Sequence, residues 1–205
     1  MIVKICGVTR PGDAAHAAAA GADAVGVNLW SGSRRFADDA TARAVLAAVP
    51  AGVLKVGVFV NAPAPEVAAR MEALGLDRAQ LHGDERAADF AALDPARLIR
   101  VVRVEDEASF GAAAGWRAGL WLYDAFVAGF GGGGRTAPWS LVARHACRPF
   151  LLAGGLTADN VAAAIAATRP DGVDVASGVE SAPGCKDPVR VQAFIAAARA
   201  AAANG

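Results

Sequence analysis

Short β-branched or apolar runs alternate along this chain with alanine-rich stretches whose apolar positions recur at helical spacing. The runs fall at 2–6, 24–28, 53–60, 79–82, 97–103, 119–123, 149–153 and 171–176. Helices are predicted after each of them, at 11–20, 38–48, 63–74, 85–92, 106–114, 138–145, 157–167 and 187–202, several with start signals such as Pro11, Pro63 and Thr157. Such regular alternation implies parallel strands, because parallel neighbours are joined by a right-handed crossover through a helix. Units averaging roughly 26 residues fit a compact, closed (β/α)8 barrel better than an open doubly wound sheet, which generally has fewer units. Apart from the glycine run at 129–134 no linker interrupts the pattern, so residues 1–205 are read as a single barrel domain.

In such a barrel the chemistry sits at the carboxyl ends of the strands. The polar residues there are Cys6, Asn28, Asn61, His82, Arg103, Asp124, Gly154-Gly155 and Ser177-Gly178. Strand side chains alternate, which puts Lys4 and Cys6 on the inner face of the first strand with Val3 and Ile5 outside. In the sixth strand Leu120, Leu122 and Asp124 share a face, and Trp121 and Tyr123 turn toward the helices. A thiol and a carboxyl group converging on one cavity suit paired proton transfer at carbon and oxygen, with Lys4 placed to favour the thiolate.

Each residue also has a plainer reading. A buried strand cysteine is often a small hydrophobe, Asp124 could serve as a turn or cap, and His82 could make a structural hydrogen bond. The last two strands run into Ala153-Gly154-Gly155-Leu156 and Ala176-Ser177-Gly178-Val179, small turns of the kind that bind phosphate in barrels, or ordinary tight turns.

Charge narrows the partners. Twenty basic residues balance twenty acidic ones without a block of like sign, which argues against nucleic acid and anionic membranes and leaves a small molecule. Polar residues or glycine and proline interrupt every apolar stretch before the length of a membrane span, and Met1 to Gly7 reads as a strand rather than a secretory signal, so a cytoplasmic protein is expected. Cys6, Cys147 and Cys185 lack metal-site or disulfide spacing, and no metal is expected. The run Gly129 to Gly134 satisfies GxGxxG, but it does not join a strand directly to a helix, and Arg135 stands where a nucleotide loop calls for lysine; a mobile loop over the site is the better reading.

Seven segments, in order and in register, resemble the phosphoribosylanthranilate isomerase family. They are Val3-Lys4-Ile5-Cys6-Gly7, Gly21-Ala22-Asp23-Ala24-Val25-Gly26, Ser33-Arg34-Arg35-Phe36, Val56-Gly57-Val58-Phe59-Val60-Asn61, Gln80-Leu81-His82-Gly83-Asp84-Glu85, Ala153-Gly154-Gly155-Leu156 and Ser177-Gly178-Val179-Glu180. The resemblance runs from residue 3 to about 196. It implies an Amadori-type isomerisation of N-(5-phosphoribosyl)anthranilate in tryptophan biosynthesis, without metal or cofactor. Cys6 looks like the general base and Asp124 like the general acid, while Arg35 matches the arginine that holds the anthranilate carboxylate. Lys4, His82 and Asp174 complete the expected substrate-binding set, and Gly154, Gly155, Ser177 and Gly178 the phosphate-binding set. A monomer or homodimer is expected.

The chain departs from the family at Val27-Asn28-Leu29-Trp30, where an aromatic run is usual, at Arg135, where lysine is usual, and at Ala137-Pro138-Trp139, where an acidic residue is usual. Ala176 replaces a frequent serine. Two rival readings are a histidine-pathway isomerase, which resembles a two-aspartate design with an aspartate where Cys6 stands, and a phosphate-binding barrel without catalysis.

Overall fold

The computed structural model describes residues 1–125 and 138–203; the glycine run, Arg135 and Ala137 lie outside them. Eight parallel strands close into a barrel in sequence order: β1 (Ile2–Ile5), β2 (Ala24–Asn28), β3 (Leu54–Phe59), β4 (Arg78–Leu81), β5 (Leu98–Val104), β6 (Leu120–Ala125), β7 (Phe150–Leu152) and β8 (Gly172–Val175). Closure comes from pairing of β1 with β8, where Lys4 stands opposite Asp174.

The alternation read from the sequence decides what fills each side. Inside the barrel lie Ala24, Val56, Ile99, Val101, Leu120, Leu122, Leu151 and Ala153. The outer faces carry Val3, Ile5, Val25, Val27, Trp121 and Tyr123, packed against the surrounding helices. Those helices are α1 (Pro11–Ala19), α2 (Asp39–Ala47), α3 (Ala64–Leu74), α4 (Trp139–His145), α5 (Val161–Thr168) and α6 (Pro188–Ala203). They contribute Val45, Leu46, Val67, Met71, Val142, Ile165 and Phe194, each such burial stabilising the fold by roughly 1.5–3 kcal/mol. Asp38 caps α2 by accepting from Thr41 N–H at 2.8 Å, and α3 stops at Gly75, whose φ of 62° is the left-handed conformation glycine tolerates. None of the helices is long and apolar enough to cross a membrane, among the described residues.

Two of the helices expected from spacing are absent. In place of 85–92 there are short 3-10 turns at Ala87–Phe90 and Pro95–Arg97. The Glu85 side chain turns back to accept from Asn61 N, Gly83 N and Arg100, and Arg86 at the start offers no capping acceptor. In place of 106–114 a 3-10 segment, Glu107–Ala113, begins with a capping box between Asp106 and Ser109 and contains Gly111, a poor helix former. Helix α5 also starts later than Thr157 suggests. Asn160 accepts from Thr157 N at 2.8 Å and donates to Gly155 O at 2.9 Å, so residues 157–160 form the turn that holds the loop after β7.

After β8 the chain makes a 3-10 turn, Ser177–Val179, then an antiparallel hairpin of β9 (Glu180–Ala182) and β10 (Cys185–Lys186) before α6. This hairpin is additional to the elements expected from the sequence.

Candidate active site

Lys4, within β1, and Cys6, immediately after it, project inward from consecutive positions of the same strand face, as alternation requires. Lys4 is fully buried, and its Nζ lies 2.8 Å from Asp174 Oδ1. Burial opposes the ammonium charge, but Asp174 and then Cys6 outweigh it and hold the Lys4 pKa above its ordinary value. Gly26 on β2 makes room for this arrangement: a Cβ there would stand 3.1 Å from both Cys6 Sγ and Lys4 Nζ.

Burial pushes the Cys6 thiol above its ordinary pKa; Lys4 opposes that shift, Asp174 adds to it and Lys186 opposes it. Cys6 is therefore a thiol at neutral pH in the free protein, beside cations that stabilise its thiolate as it forms. Its alkylation by iodoacetamide is expected to be at least about tenfold slower than that of the exposed Cys147 near neutral pH, and to keep accelerating above pH 9. Peptide mass spectrometry reads both rates, and a plateau below pH 8 would contradict the upward shift.

Asp124, near the end of β6, feels the same Lys4–Asp174 pair. Burial first, then Asp174, push its carboxyl up to about 7 against the Ala125 backbone N–H, Lys4 and Arg103. A carboxyl near neutrality is a competent proton donor at physiological pH. It also costs stability. The folded pKa lies above the unfolded value, so the native chain binds more protons and stability falls as pH rises from about 4 to about 7. Asp124→Asn is expected to stabilise the fold by on the order of 2 kcal/mol above pH 7 and by less near pH 5. Thermal melts at the two pH values test this, and an equal gain at both counts against it.

His82 follows β4, with its Nε2 3.5 Å from Asp124 Oδ2. Burial, then Lys4, Arg103 and Arg100, push the imidazole down to about 3, so it is neutral at physiological pH. Asn28 and Asn61, also at strand ends, serve the loops: Asn28 Oδ1 accepts from Trp30 N, and Asn61 Oδ1 from Asp84 N. Arg103 pairs with Asp84.

Arg35, in the loop between β2 and α2, lies flat over Gly7. A Cβ on Gly7 would approach its Cδ to 2.5 Å, and Gly7 has φ 70°. The guanidinium gives one edge to Glu180, with Nε to Oε1 at 2.8 Å and Nη2 to Oε2 at 2.7 Å. Its Nη1 side makes no hydrogen bond to the described residues and remains for a second planar anion. Glu180 Oε1 also accepts from Lys186 Nζ at 2.8 Å, and Lys186 donates to Ala176 O at 2.9 Å. Glu180 and Lys186 complete the site's electrostatics, yet only Glu180 fell within a recognised segment and neither was singled out from the sequence. The one signal was Pro183-Gly184, a turn pair between two short polar runs.

The turns after β7 and β8 meet closely. Gly154 has φ 88°, and a Cβ on it would lie 2.6 Å from Ala125 N and 2.9 Å from Asp124 Oδ1. Gly155 has φ 59°. A Cβ on Gly178 would collide with the Leu156 carbonyl oxygen. Ser177 opens the 3-10 turn beside it. The structure thus gathers Lys4, Cys6, His82, Asp124 and Asp174 around one barrel mouth, flanked by Arg35 and by the two glycine turns.

Comparison with known proteins agrees with this picture. Residues 3–197 match the family model described as N-(5'phosphoribosyl)anthranilate (PRA) isomerase. The N-(5'-phosphoribosyl)anthranilate isomerase of Pseudomonas fluorescens is 47% identical over 96% of this chain and 94% of its own length. That of Pelobacter propionicus is 43% identical over 96% and 95%. Among solved structures, the phosphoribosyl anthranilate isomerase of Thermotoga maritima superposes with a TM-score of 0.88 at 36% identity, covering 98% of this chain and all of that one. Another isomerase, in complex with reduced 1-(o-carboxyphenylamino)-1-deoxyribulose 5-phosphate, gives 0.85 at 35% identity with the same coverage.

Proposed function

Since the chain belongs to the N-(5'-phosphoribosyl)anthranilate (PRA) isomerase family, we propose that it converts N-(5'-phosphoribosyl)anthranilate to 1-(2-carboxyphenylamino)-1-deoxyribulose 5-phosphate, the Amadori rearrangement of tryptophan biosynthesis. The observation that carries the residue assignment is a buried thiol and a carboxyl of raised pKa acting around one Lys4–Asp174 pair.

Asp124 protonates the furanose ring oxygen, and the ring opens to a protonated imine. Cys6, its thiol proton released to solvent beside Lys4, removes the C2 proton as the thiolate and gives an enolamine. C1 gains a proton and the C2 hydroxyl loses one as this tautomerises to the ketone, and the proton taken by Cys6 returns through solvent to Asp124. Lys4 stabilises the thiolate as it forms, and Asp174 keeps Lys4 charged and in place. The free Nη1 side of Arg35 takes the anthranilate carboxylate, with Glu180 holding the guanidinium plane. The phosphate rests against Gly154, Gly155, Ser177 and Gly178, and His82 borders the ribose. Every step is proton transfer at positioned groups, so the route calls on no metal or cofactor. A catalytic free thiol suits the reducing cytoplasm.

Turnover of phosphoribosylanthranilate by the purified chain tests the reading. Inactivity overturns it, and turnover of the aminoimidazole substrate of histidine biosynthesis instead would favour the rival isomerase.

A further inference from the structure

On the mechanism above, Asp124 loses and regains its proton in every cycle, and the group facing its carboxyl is His82. The Nε2 of His82 is buried without a hydrogen-bond partner among the described residues, 3.5 Å from Asp124 Oδ2. The other ring nitrogen is engaged by Gln80, a buried residue two positions earlier on β4, whose Nε2 lies 3.3 Å from His82 Nδ1. With the Gln80 amide in this orientation its nitrogen donates, Nδ1 accepts and the ring proton resides on Nε2, the nitrogen on the side of Asp124. Charged groups surround the ring on other sides: Lys4 from β1 and Arg100 and Arg103 from β5 act on His82, while Asp174 from β8 acts on Asp124. The cations and burial together keep a second proton off the imidazole.

We propose that His82 is a positioning residue for the general acid, a neutral Nε2–H donor locked in one tautomer by Gln80, which leaves the acidic proton on Asp124 Oδ1 and takes up the carboxylate charge when that proton departs. The proposal rests on the acid role given to Asp124. In the step, the Oδ1–H bond breaks and a bond from that proton to the ring oxygen forms. The electron pair stays on the carboxylate, and His82 keeps its own proton throughout. Oδ1 is the oxygen beside Gly154, where a Cβ would stand 2.9 Å from it. Against a neutral carboxyl the 3.5 Å contact is weak. Against a carboxylate it becomes charge-assisted, and such bonds are roughly twice as strong and shorter. Stabilisation that grows along the reaction raises kcat rather than lowering KM.

His82→Leu is therefore expected to lower kcat about 10- to 100-fold with KM within about threefold, and to move the pH-rate limb near 7 upward by about one unit. His82→Gln, which keeps an N–H donor, should stay within about fivefold of wild type. Nitrogen-15 spectra of the wild-type imidazole give a readout independent of any variant's folding: His82 should show the Nε2–H tautomer and no titration between about pH 5.5 and 8.5. An Nδ1–H tautomer, titration near pH 6.5, wild-type kcat in His82→Leu, or a KM rise at unchanged kcat would each overturn the proposal. Retention of turnover by Asp124→Asn would instead remove the acid assignment itself, so the two failures are distinguishable.

Discussion

Cys6→Ser and Asp124→Asn each lower kcat for phosphoribosylanthranilate by about 10³-fold or more while leaving KM within a few-fold. A general acid or base is typically worth 10² to 10⁴ in rate. The serine hydroxyl is a far weaker acid than a thiol, and the cations that help a buried thiolate to form do not bring a hydroxyl into reach. Asparagine matches the shape of Asp124 and keeps the contact with His82, but it has no proton to give to the ring oxygen. The double variant is expected to be little worse than either single one, because the two groups serve one proton-transfer sequence. Steady-state kinetics of the three variants check this; activity within tenfold of wild type in both single variants would remove these residues from the chemistry. The effects should part company in stability, since Asp124→Asn also relieves a buried charge.

The second large effect falls on phosphate. Gly178→Ala places a methyl against the Leu156 carbonyl oxygen, with the Leu156 carbonyl carbon at 3.0 Å and Thr157 Cγ2 at 3.3 Å. Backbone cannot escape through a change of rotamer, so the turns after β7 and β8 must separate. Overpacking of this kind costs about 1–3 kcal/mol. For a chain of this length that corresponds to a fall in Tm of roughly 2–12 °C. Charge-assisted hydrogen bonds to the phosphate would be lost with the displacement, raising KM about 10- to 100-fold. Inhibition by inorganic phosphate should weaken in parallel. An unchanged KM with unchanged phosphate inhibition would mean that these turns do not hold the phosphate.

How far the sequence can be read follows from where periodicity exists. The strands were legible because a barrel wall has two apolar faces with different neighbours: Leu120 and Leu122 point inward and Trp121 and Tyr123 outward, as alternation demands. Cys6 and Asp124 were legible as candidates because they break that pattern at strand ends. Their division into base and acid came from family resemblance alone, since burial pushes both groups toward their neutral forms. The segments at 85–92 and 106–114 were misread because an apolar residue every third or fourth position fits a 3-10 turn as well as an α-helix over so short a span. Glu180 and Lys186 were hidden for another reason. In a two- or three-residue hairpin strand no repeat exists, and a charged residue there looks like one facing water until the fold seats it beneath Arg35. Gln80 was hidden similarly, as a polar position that makes sense only once His82 is beside it.

The Lys4–Asp174 pair joins residues 170 positions apart, across the seam where the first strand meets the last. Loop-closure entropy makes contacts of such separation late events in folding. A chain emerging from the ribosome thus carries Cys6, the proposed base, and Lys4 from the first few residues synthesised but lacks the counter-ion of Lys4 until β8 arrives. Catalytic competence in this protein is consequently a property of the finished ring: recovery of activity on refolding should trail recovery of helical signal, and it reports closure of the seam rather than formation of any one β/α unit.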